Sequence, residues 1–196
     1  FAIGGAGTFS NAAGSPLVLD VADSILDLTG SGTVSGPVKL QRGTLRSSGS
    51  PTISGALTQY YDATIEVPTD QTLTYSGTAI SIGANTLTLS GGGSLESGGL
   101  DLNNASSKLL LNSITVDNVS TSADNSGLDV DADSTVTSLT VAHTTPVSIA
   151  SGKTLSGAIT VTAGSIKLGE AGTLASTVSM SGGTLDADET LTVSGA

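Results

Sequence analysis

The chain has 196 residues and a formal net charge of −11, set by 17 acidic against 6 basic side chains. Such a balance repels polyanions and argues against nucleic-acid binding, while 37% hydrophobic residues and a positive mean hydropathy exclude a disordered chain. There is no cysteine, so disulfides and thiolate metal sites are excluded, and no apolar run approaches the ~20 residues of a helical membrane span.

Aromatic residues are scarce and Trp is absent, whereas Gly, Ser, Thr, Leu and Val dominate. No long stretch carries apolar residues at helical spacing, and Ser, Thr and Gly are poor formers of helix interiors. The composition therefore predicts stacked β-structure with many tight turns.

In chain order, residues 1–12 open on "FAIGGAGTF" without an initiating Met, so the chain reads as a processed or excised segment, with a first complete unit starting near Ala13. From Thr33 a phrase recurs. Thr33, Thr52, Thr135, Thr154 and Thr173 stand in one column, with spacings of 19 (52 − 33, 154 − 135, 173 − 154). Behind Thr33 follow Val34, then Val38 and Leu40, then Leu45; behind Thr154 follow Leu155, then Ile159 and Val161, then Ile166 and Leu168. Within each group the apolar spacing is two, the period of a strand with one buried face.

Strands this short cannot bury a face alone. If each unit is one turn of a coil, equivalent strands pair in parallel at ~4.8 Å and the apolar positions fill a continuous interior. The predicted fold is all-β, a parallel β-solenoid with units of about 19 residues forming a single domain over residues 1–196. Ser-Gly steps at Gly36, Gly55, Gly77, Gly157 and Gly195 are predicted corners, where positive φ or close backbone approach demands Gly.

Other stretches depart from the period. Thr72 to Thr86 spans only 14 residues (86 − 72), and the stretch 109–134 is long. Its excess is assigned to an outward loop at residues 117–127, between the pairs Ile114/Val116 and Leu128/Val130. Asp27, Arg46 and Glu66, and later Lys167 and Asp186, occupy an outward position where stacking makes opposite charges neighbours.

Ligand chemistry centres on the acidic stretch that includes Asp124 and "DVDADS". Asp129, Asp131 and Asp133 alternate, so an extended strand aims all three one way, as a weak Ca2+ site would need. An EF-hand is excluded: counted from Asp129, the sixth position is Ser134 rather than Gly and the twelfth is Thr140 rather than Glu. His143 is the only histidine and is placed at a solvated bend. The cluster Asp186, Asp188 and Glu189 reads as a charged turn. Tyr60 and Tyr61 are adjacent, so on a strand one faces the core and the other is an exposed candidate for sugar contact. A carbohydrate-active enzyme would need a groove that gathers carboxylates with Arg42 or Lys39; no catalytic residue is assigned.

The "GTL" phrases, "TLTLSGGGSL" and "SGGTLDADETLTVSG" resemble the repeats of right-handed β-helical bacterial surface proteins, namely filamentous-haemagglutinin-type adhesins and autotransporter passengers. The resemblance implies a right-handed parallel β-helix at the cell surface or outside the cell, non-enzymatic, serving as a fibre, sheath or surface-layer element. It also leaves room for a passenger module that binds surface glycans or Ca2+. The chain's two incomplete turns, residues 190–196 and 1–12, are expected to join as one unit through Leu191, Val193, Phe1 and Ile3, by head-to-tail stacking or by tandem repetition.

Overall fold

A computed structural model of the protein describes residues 1–11, 15–175 and 177–187. All regular structure in these residues is β, and every strand pair in the sheets is parallel. The strands stack in a ten-stranded, a twelve-stranded and a three-stranded sheet. The chain visits the faces in turn and rises one strand at each return, so the architecture is the predicted parallel β-solenoid.

Alternation in the sequence makes the interior. In the first sheet one column runs from Leu26 through Leu45, Ile65, Leu89, Leu111, Val130 and Ile149 to Leu168, each residue the register partner of the next. None of these side chains is more than 3% exposed. Columns like this hold the rod together, since fully burying one aliphatic side chain contributes about 1.5–3 kcal/mol. The step between rungs is uniform in the later turns: Lys108 pairs with Gly127, Leu128 with Val147, and Ser165 with Thr184, each 19 residues on (127 − 108, 147 − 128, 184 − 165).

Two register expectations are corrected. Thr72 and Thr86 lie in different sheets, so the interval between them is no short unit; Thr72 pairs with Ser94, 22 residues on (94 − 72). Thr33 does pair with Thr52 and Thr154 with Thr173, but Thr135 faces Ser156, because the ladder shifts register between Thr135 and Ser138.

The expected outward loop at 117–127 is also corrected. Thr115–Thr121 is one strand, and only the short turn around Asp124 and Asn125 separates it from the strand Gly127–Val130. The excess length is absorbed at a corner. In the preceding turn the second and third faces carry separate strands, Ser94–Glu96 and Leu100–Leu102; both pair onto Thr115–Thr121, which runs across the two faces. Ser134–Val141 and Thr154–Val161 continue that fused strand.

Corners need Gly for close approach. A Cβ on Gly55 would lie 2.0 Å from the Gly36 carbonyl oxygen, and one on Gly157, where φ is +124°, would lie 1.7 Å from the Val136 carbonyl oxygen. Another corner is lined by hydroxyls that the sequence reading missed. Ser107, Ser126 and Thr145 are buried; the Ser126 and Thr145 hydroxyls are 2.9 Å apart, and the Ser107 hydroxyl donates to the Ile82 carbonyl. Their partners remove the cost of burying a polar group.

Candidate functional site

The most developed concavity outside the core is a groove of about 680 Å3 on the first sheet's side of the rod. Its floor is a column of outward threonines, Thr44, Thr64 and Thr88, which are register partners on successive rungs. Its walls come from turns that lead into the same strands: Ala22 and Asp23, Arg42 and Gly43, Tyr61 and Asp62, and Asn85.

These turns are braced by side chains. Gln59 Nε2 donates to the carbonyls of Thr86 (2.8 Å) and Tyr61 (3.1 Å), and Asn85 Nδ2 donates to the Tyr60 carbonyl (2.9 Å). Asp62 Oδ1 accepts from the Thr86 N–H at 2.7 Å. Tyr60 and Tyr61 are both about half exposed, which corrects the expectation that one would enter the core. The reason is local: the strand ends at Gln59, so alternation no longer applies to the two tyrosines. Each ring carries a cation: Lys39 Nζ lies 5.3 Å from the Tyr60 centroid and Arg42 Cζ 5.2 Å from that of Tyr61. Exposed pairs of this kind contribute about 0.5–1 kcal/mol.

The acidic stretch is arranged differently from expectation. Asp129 forms an ion pair with Lys108 at 2.7 Å, and its carboxylate holds the Lys108 ammonium above the ordinary value, chiefly through their hydrogen bond. Asp133 Oδ1 accepts from the Thr154 N–H at 2.8 Å. Asp129 and Asp131 do share a shallow hollow with Lys167, but Asp133 lies beyond the bend that follows the strand. Among the described residues no group of three or more His, Cys, Asp or Glu is placed to hold a metal ion, so Asp129, Asp131 and Asp133 are not the convergent Ca2+ cluster that alternation predicted. Asp117, counted in the expected loop, accepts from the Ser97 N–H at 2.7 Å.

His143 stands at a turn with positive φ and is half exposed, in line with the solvated bend; its Nδ1 is 3.6 Å from Asp124 Oδ1. The Asp124 carboxyl is held below its ordinary range, first by the Thr144 N–H, then by the Thr144 hydroxyl, with His143 adding to the effect.

Charge stacking is real but divided. Asp27, Arg46 and Glu66 form one outward column, with Arg46 bonded to Glu66 at 2.9 Å, whereas Lys167 and Asp186 pair in the neighbouring column. At the N-terminal end Phe1 is 80% exposed, and Ile3 packs partly against the core. Leu191, Val193, Asp188, Glu189 and Gly195 lie outside the described residues.

In comparisons with known proteins, no family model, curated protein or solved structure matches the chain. The fold and groove define its class: a parallel β-solenoid with a tyrosine-walled lateral groove. Among the described residues no helix is long and apolar enough to cross a membrane.

Proposed function

We propose that the chain is a non-enzymatic structural or adhesive element of the cell surface, a rod extended at its N-terminal end by further solenoid turns. A second copy or neighbouring repeats would supply them. The observation that carries this reading is the chemistry of that end. Ala2–Ile3, Thr8–Phe9 and Leu17–Leu19 each stand last in their sheets, and Phe1, Val18, Val21 and Ile25 are exposed around them.

Open parallel edges beside apolar side chains are a template for another strand. Each step inside the rod already repeats that docking. The likeness of the repeats to haemagglutinin-type adhesins and autotransporter passengers supports an extracellular place. Carboxylates that a hydrolase would use are engaged in holding the fold, Asp62 on a backbone N–H and Asp129 on Lys108.

Sedimentation velocity over a concentration series tests the reading. The purified chain is expected to form head-to-tail oligomers that grow with concentration, and Phe1→Glu is expected to weaken association by about tenfold or more. A monomer at every concentration, or association indifferent to Phe1→Glu, contradicts it. A second reading, a carbohydrate-binding adhesin module, is favoured by the groove, because it brings Tyr61 and Arg42 to one concavity with Asp23 and Asp62.

A further inference from the structure

We infer that the groove over Thr44, Thr64 and Thr88 is a binding site for a neutral oligosaccharide, with Tyr61 as its stacking wall. This rests on the adhesive part of the reading above and gives it a ligand class. The floor is the first argument. Three threonines on successive rungs span about 10 Å, room for about two sugar rings. Among the described residues their hydroxyls have no side-chain hydrogen bond, so they are free to meet sugar hydroxyls.

The wall is the second argument. Sugars present a face of C–H groups to an aromatic ring, and Tyr61 offers a half-exposed ring in the groove wall. Its position is fixed before any ligand arrives, through the Arg42 guanidinium at the ring and the Gln59 hydrogen bond to the Tyr61 carbonyl. Little ordering entropy then remains to be lost on binding.

Charge decides the class of sugar. The groove carries the carboxylates of Asp23 and Asp62 against the single cation Arg42. Carboxylates accept hydrogen bonds from neutral hydroxyls and repel uronate or sulfate groups. An acidic glycan is therefore disfavoured here, as it is by the chain's net charge of −11.

The test is a calorimetric and NMR titration of the intact chain with neutral tetrasaccharides of glucose, mannose and galactose, beside a tetragalacturonate. At least one neutral probe is expected to saturate below ~10 mM. Tyr61→Ala is expected to weaken that probe about tenfold, and Thr64→Val several-fold, with melting temperatures held. Thr140→Val, on the second sheet, is expected to bind as the unsubstituted chain does.

No saturation by any neutral probe, full affinity in Tyr61→Ala, or a preference for the galacturonate would each overturn the inference. Sedimentation of the same samples separates its failure from that of the rod reading. Loss of sugar binding with oligomers intact removes this ligand alone, whereas sugar binding by a strict monomer keeps the site and removes end-to-end growth. Recovery of the probe uncut is expected; cleavage would retain the site and contradict the non-enzymatic reading.

Discussion

Leu89 and Ser148 illustrate how sharply the two sides of a strand differ in consequence. Leu89 is fully buried, between Ile65 and Leu111, so Leu89→Ala opens a cavity in a close-packed column and is expected to cost about 2–5 kcal/mol in a urea melt. Ser148 is exposed on its strand, and Ser148→Ala is expected to stay within about 0.5 kcal/mol. Equal losses would contradict the assigned faces. Such residues were legible from alternation alone. Tyr60 and Tyr61 were not, because alternation says nothing once a strand has ended, and the stop after Gln59 has no strong sequence marker.

A pH effect also belongs to single residues. Asp124 has a lowered pKa in the fold, so its contribution is present above the ordinary value of 3.8 and is lost as pH falls through the lower folded value. Below pH 3.8 the melting temperature is expected to fall less steeply in Asp124→Asn than in the unsubstituted chain. Lys108 has the opposite sign: its contribution is present below 10.5 and is lost as pH rises through a higher folded value. Identical acid profiles for the two chains would contradict the role given to Thr144 and His143. Neither the Asp124–Thr144 contact nor the Lys108–Asp129 pair was read from the sequence, since both join residues on successive rungs and depend on register.

Among elements, the fused strands decide the shape of the later turns. Val116 and Val119 are both buried although three positions separate them, because the strand Thr115–Thr121 turns a corner at Asp117 and Asn118. The polar pair between them resembles the start of a loop, which is why the sequence suggested one at 117–127. In the strand Thr154–Val161 the same corner is taken by Gly157. Gly157→Ala puts a Cβ against the Val136 carbonyl at positive φ and is expected to destabilise by more than about 1 kcal/mol. Gly127→Ala meets nothing within 4 Å and has no positive φ; it is expected to be neutral or to stabilise by about 0.4–1 kcal/mol. A thermal melt in which both variants match the unsubstituted chain would remove the corner argument.

At the scale of the whole molecule, the period of the sequence revealed the solenoid because inward positions must repeat on every rung. The outward positions are free of that demand, so the groove, made of side chains from four separate turns, left no periodic trace. The ends are the other large-scale feature. A rod whose last rung exposes Phe1, Val18, Val21 and Ile25 is built like its own interior at that surface, and the same stacking that joins rung to rung extends it.

Electron microscopy of the purified chain at high concentration tests this most directly. Ten rungs in the first sheet correspond to about 48 Å of rod per copy. The account predicts unbranched filaments with an axial repeat near that length, shortened to single rods by Phe1→Glu. Separate short rods at every concentration would contradict it.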